Sequence, residues 1–190
     1  MLGDTWGGET QAPADSVLSV DYYRQKALEF QVALNSLDEV GRALYAVERV
    51  ANCDAELAAE WFSKVQEFQS KRTQFVIAAE SMNVAASGLN AVGVRFPVLS
   101  YSQGLGALPA IPMAAIAVAV GVAAGLIVWG KEFAVTVREM LKRWQYSDAF
   151  EQLTPAEKAE MFAEMMNADT KIATAQAANE GGTLESIASI

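Results

Sequence analysis

Carboxylates are the only reactive side chains that this chain offers in groups. Glu56 and Glu60, and again Glu157, Glu160 and Glu164, stand at helical spacings. Such clusters do proton transfer or bind metals when histidine joins them, as in the Glu-x-x-His pairs of carboxylate di-metal bundles. The 190 residues contain no histidine, so these glutamates read as solvated helix faces. Cys53 is the only cysteine, which excludes an internal disulfide and a cysteine-based zinc site within one chain. With no histidine to activate it and no basic cluster around it, Cys53 reads as a small helical residue; an intermolecular bridge stays open. Gly7-Gly8, Gly104 to Gly106 and Gly181-Gly182 lack the strand-loop-helix setting and the lysine of a phosphate loop. No nucleophile, base and orienting group come together. The expectation is a protein that is not an enzyme, with no cofactor, metal or small-molecule substrate.

Charge narrows the partners. Lysine and arginine number 14 against 23 aspartates and glutamates, a formal net charge of -9, and an acidic chain repels nucleic acid. Residues 1–15 begin MLGDTWGGETQAP, without the basic and apolar regions of a secretory signal, and read as a flexible arm in which Trp6 is a candidate anchor for a partner.

The strongest pattern is ALPAIPMAAIAVAVGVAAGLIVWG, from Ala107 to Gly130. More than twenty residues without a charge suffice, at ~1.5 Å per residue, to cross ~30 Å of hydrocarbon. Pro109 and Pro112 lie near its start, where a missing amide donor costs least. Tyr101 and Trp129 mark its two boundaries, with Lys131 as a snorkelling cation. This predicts a transmembrane helix over 107–130, reached by a hinge over 93–106. Ala117, Gly121 and Gly125 recur every fourth residue and predict a close helix–helix interface. A buried central helix of a soluble bundle is the competing reading. Lys131, Arg138, Lys142 and Arg143 follow the segment, whereas Arg95 alone precedes it within twenty residues, which predicts a cytosolic C-terminal side.

Elements on either side follow from periodicity. Residues 16–92 contain no proline, and Tyr23, Phe30, Leu37 and Leu44 fall seven apart, as do Trp61, Phe68, Phe75, Met82, Leu89 and Phe96. Heptad ridges of this kind predict long packed helices, with Trp61, Phe68, Phe75 and Met82 at a helix–helix interface. The pattern allows one rod of about 105 Å or an antiparallel hairpin turning at Asn52-Cys53-Asp54. The hairpin is preferred, because Asp54 is a workable N-cap. From Asn83 the residues become small, which predicts the end of that helix. Phe133, Val137, Met140 and Trp144 share a face of a basic amphipathic helix over 131–150, whose Lys142 and Arg143 suit a membrane surface. Thr154-Pro155-Ala156-Glu157 is a capping box that opens a last helix over 154–180, and 181–190 is a tail.

The fold class expected is therefore all-α: long heptad-patterned helices, a hinge, a single-pass transmembrane helix and a short C-terminal helix. The function expected is that of a non-enzymatic membrane-anchored structural or assembly protein, cellular or in a virion. Its partners would be the lipid bilayer and itself or other protein subunits. The alternative is a pore-forming protein that inserts and oligomerises through its apolar segment.

Overall fold

The structure, a computed structural model, describes residues 17–101 and 116–181, with side chains over 20–101 and 121–181. Every regular element in these residues is helical: α1 Val17–Ala46, α2 Glu48–Ala51, α3 Ala55–Ala91, α4 Ile116–Gln145 and α5 Pro155–Gly181, with a 3-10 turn at Asp148–Phe150. The predicted arm, the residues 102–115 and the tail beyond Gly181 lie outside the described residues.

Local sequence sets the helix starts. Asp54 is extended and its carboxylate accepts from the backbone amides of Glu56 at 2.8 Å and Leu57 at 3.2 Å, satisfying two of the donors that a helix N-terminus leaves orphaned. At α5 the Thr154 amide and hydroxyl both donate to the Glu157 carboxylate at 2.8 Å, and the Glu157 amide donates back to Thr154. That reciprocal box is the one predicted from the spacing. The bond from the Thr154 amide also holds the Glu157 carboxyl below its usual range.

The helices form an up-down-up-down bundle. Trp61 donates its indole N–H to the Leu44 carbonyl, Arg72 pairs with Asp38, and Phe75 stacks on Phe30. As numbers rise on α3 they fall on α1, so the 16–92 region is an antiparallel hairpin turning at the predicted residues, and not a rod. Pairings of Phe68 with Phe133, and of Arg138 with Asp169, continue the alternation through α4 and α5. Neighbours in sequence are neighbours in space, and α5 closes the ring on α1. Across the ring α1 also touches α4, so the section is a rhombus with α1 and α4 on its short diagonal. These two helices carry much of the core, including Ala27, Phe30, Leu34, Val40 and Leu44 on one and Phe133, Val137, Met140 and Trp144 on the other.

Three sequence expectations change here. The predicted boundary at 130 is interior to α4, which runs unbroken to Gln145. The face of Phe133, Val137, Met140 and Trp144, expected on a membrane surface, is buried against the other helices of the bundle. Ala123 and Leu126 of the predicted span are buried in the same core. Among the described residues no helix is long and apolar enough to cross a membrane, and positions 107–115 of the predicted span lie outside them. The helix predicted to end near Asn83 continues to Ala91. It does so because Asn83 and Asn90 spend their polar side chains on a returning segment and not on their own helix backbone.

One close approach fixes how α1 meets α3. A Cβ built on Gly41 would lie under 3.0 Å from three ring carbons of Phe68, so the aromatic ring lies against the α1 backbone. Replacing a helical glycine by alanine ordinarily gains about 0.5–1 kcal/mol, but overpacking costs ~1–3 kcal/mol. Gly41→Ala is therefore expected to lower the urea midpoint, and adding Phe68→Leu is expected to recover part of the loss. A Gly41→Ala chain as stable as the parent would show that the ring does not occupy this space.

Candidate interaction surface

The predicted interface residues divide into two groups. Trp61, Phe68, Phe75 and Met82 sit along the inner face of α3. Phe75 and Met82 are fully buried and Phe68 nearly so, while Trp61 is half-buried with its ring edge-on to Tyr45. Phe75 lies parallel to Phe30 at a centroid distance of 5.1 Å, and Phe68 meets Phe133 at 6.5 Å. Their contacts are within one chain. Gly121 and Gly125 are different: both are exposed, and a Cβ on either would meet nothing within 4 Å. Ala117 belongs to α4, but its side chain lies outside the described residues. The small-residue face thus turns away from the bundle, with Val122 50% and Val128 57% exposed beside it.

The predicted boundary residues bond within the chain. The Tyr101 hydroxyl donates to the Glu80 carboxylate, and that acceptor, with burial second, pushes the phenol up to about 12. The Trp129 indole N–H donates to Glu67 at 3.1 Å, its ring stacks on Phe133 at 4.7 Å, and the Lys71 ammonium lies 5.7 Å from the ring centroid. Lys131 and Lys142 are exposed. Arg143 pairs with Glu60.

These contacts bring two charge-poor stretches to the same level. Residues 75–94 contain one charged side chain, Glu80, and residues 116–130 contain none. The Gly130 backbone lies beside the Phe75 ring, 3.8 Å from where a Cβ would stand. Charges resume on both helices just past that contact, with Lys71 and Arg72 on α3 and with Lys131 and Glu132 on α4. Asn179 and Glu180, near the described end of α5, share a cleft with Glu29, Ile127 and Lys131, so that end lies at the same height. Below it α3 and α4 form one apolar side, which exposes Ile77, Val122 and Val128. The α1 side keeps Asp21, Arg24, Lys26 and Glu29.

Above that level arginine–carboxylate pairs tie α1 to α3, α3 to α4, α4 to α5 and the short α2 to α5. Arg72 meets Asp38 at 2.6 Å, Arg138 meets Asp169 at 2.7 Å, Arg143 meets Glu60, and Arg49 of α2 meets Glu160 at 3.0 Å and also Glu164. The Asp169 carboxylate pushes the Arg138 guanidinium up. Burial of Cys53, whose thiol donates to the Val50 carbonyl at 2.7 Å, pushes that thiol up. Sequence periodicity could not locate these pairs, because each joins residues at least 31 positions apart.

Missed as well is a strap over residues 94–101. It returns along the groove between α1 and α3, where Gln31, Asn83 and Asn90 bond its backbone. Its only signal in the sequence is the seven-residue spacing of Asn83 and Asn90, one face of a helix over two turns.

Compared with protein families, with curated proteins and with solved structures, the chain matches none.

Glu60 gives a pH test of the upper half. Burial would raise its carboxyl, but bonds from Arg143 and from the Trp144 indole N–H at 2.9 Å hold it below the ordinary value of 4.5. A depressed folded-state value stabilises above the unfolded value and is lost as pH falls through the folded one. Glu60→Gln, which keeps an acceptor for Trp144, is expected to melt at lower temperature than the parent at pH 7. The gap should narrow steadily as pH falls below 4.5. A gap unchanged between pH 7 and pH 3 would mean that the charge contributes nothing.

Proposed function

We propose that the chain is a non-enzymatic, membrane-anchored helical assembly protein, attached through the apolar side that α3 and α4 share at one end of the bundle. The observation that carries this reading is the common level, fixed by the Gly130 and Phe75 contact, below which the two helices hold a single charge, Glu80. Two antiparallel helices that lose all their charges but one, Glu80, at one height present a band to hydrocarbon, with Trp129 and Lys71 at its edge, where aromatic and basic side chains are favoured. The charge-free run of α3 over 81–91 rises ~16 Å and the described part of α4 over 116–130 rises ~22 Å, about half and about three-quarters of a ~30 Å bilayer core. The apolar residues 107–115 extend the same run in sequence. The charged α1 side and the ion-paired upper half stay in water and meet protein partners.

Flotation with vesicles of neutral phospholipid tests the reading. The full chain is expected to float, to stay with the vesicles through an alkaline carbonate wash, and to leave an entrapped dye in place. Val122→Lys with Val128→Lys alters two exposed positions, and each charge at lipid depth costs ~2.5–3.5 kcal/mol, so the floated fraction should fall at least ten-fold with helicity unchanged. A parent chain left at the bottom of the gradient would remove the lipid-facing role. Prompt dye release would replace the anchor by a permeabilising activity.

A further inference from the structure

The strap is held through its backbone by side chains of both walls of the groove. The Asn83 side-chain amide donates to the Leu99 carbonyl at 2.8 Å and accepts from the Leu99 amide at 2.6 Å. Asn90 does the same for Phe96, at 3.1 and 2.9 Å. From the other wall of the groove, Gln31 donates to the Ser100 carbonyl at 3.0 Å and accepts from its amide at 2.7 Å. Arg24 donates twice to the Arg95 carbonyl, at 3.0 and 2.6 Å. Three carboxamides therefore each clamp both polar groups of one backbone residue.

Geometry makes the strap an extended chain. Asn83 and Asn90 are seven helical residues apart, a rise of about 10.5 Å. Three strap residues cover the same distance, which requires ~3.3–3.6 Å per residue, the reach of extended backbone. Between the clamps the side chains of Phe96 and Leu99 are 5% and 3% exposed, so two buried anchors three residues apart add shape selection to backbone reading. Main-chain bonds for affinity and pockets for selectivity are the two parts of extended-peptide recognition. The strap enters the groove through Gly93, whose φ of +83° reverses the chain directly after α3 and is readily adopted by glycine alone.

We propose that the groove between α1 and α3 is a site for an extended peptide segment, and that the strap of a second copy of this chain exchanges into it. The partner's residues 94–101 match every clamp and both pockets, because they are the same residues. Exchange replaces each contact by its equivalent, so concentration sets the balance between the closed chain and the exchanged dimer. The site is separate from the apolar side of α3 and α4 and does not require lipid.

The test uses a chain carrying Phe96→Ala and Leu99→Ala, which weakens the resident strap, and a fluorescent peptide of residues 93–101. Saturable binding to that chain is expected. N-methylation of the peptide at Phe96 and Leu99, which removes the two amide donors read by Asn90 and Asn83, should weaken binding at least ten-fold. The tagged variant should also capture the untagged parent chain as a pair after prolonged mixing. No saturable binding, or binding indifferent to N-methylation, would overturn the site. Peptide binding without chain capture would overturn the second copy as its occupant. Should the variant not fold, hydrogen exchange of the parent against Asn83→Ala with Asn90→Ala decides the clamp. At least ten-fold faster exchange at the amides of residues 96 and 99 is expected, and unchanged rates would overturn it.

Discussion

Phe68 is the pin on which the bundle turns. Its ring lies against the α1 backbone at Gly41 on one side and faces Phe133 of α4 on the other. One side chain of α3 thereby sets the spacing of both helices on the short diagonal of the rhombus. Tyr45 meets the same ring edge-on, and Trp129 stacks on Phe133, so the aromatic contact spreads from α1 through α3 to α4. Aromatic pairs of this kind add ~0.5–1.5 kcal/mol each beyond the area they bury. Their larger effect is to fix register: a ring that fits only over a missing Cβ cannot slide by a turn. Phe30 against Phe75, at the level of the described end of α5, repeats the constraint for the lower half.

What could be read from the sequence was what depends on neighbours along the chain. The seven-residue spacing of Trp61, Phe68 and Phe75 placed the inner face of α3, and the capping residues Asp54 and Thr154 placed two helix starts, because both signals act within a few residues. The apolar run ending at Trp129 was also legible, but not its surroundings. A helix that is apolar all round looks the same whether lipid or other helices cover it, and here Ala123 and Leu126 are covered by helices while Gly121 and Gly125 are not. Arginine–carboxylate pairs and the amide clamps escaped because each depends on a meeting of distant segments. Asn83, read as the start of a stretch that ends the helix, lies within one because its side chain, like that of Asn90, satisfies another segment's backbone.

The two halves of the bundle are held by different means. In the upper half the inter-helix arginine pairs add to the apolar core, and the pair of Arg72 with Asp38 is largely shielded from water, with 15% and 19% of the side chains exposed. Shielding of this degree makes the pair less sensitive to salt than a surface one. In the lower half the described ion pairs, Asp21 with Arg24 and Lys26 with Glu29, stay within α1 and join no helices. There α1, α3 and α4 depend on apolar contact and on the strap. Local opening follows the least tied part of a structure, which places the first opening of this fold at the end where the chain-exchange groove and the apolar side both lie.

The strap also determines what that apolar side can be. Glu80 is the single charge in the lower part of α3, and an unpaired carboxylate next to hydrocarbon would be costly. Tyr101, at the end of the strap, donates its hydroxyl to that carboxylate. With its phenol pushed up to about 12, Tyr101 stays a donor across the physiological range. The contact exists only while Asn83 and Gln31 hold residues 99 and 100 in the groove, two and one positions away. Release of the strap would therefore uncover Glu80 and make the α3 side more polar, whereas a second copy's strap in the same groove would cover it again. Lipid attachment and chain exchange, though proposed on separate observations, are thus coupled through one hydroxyl.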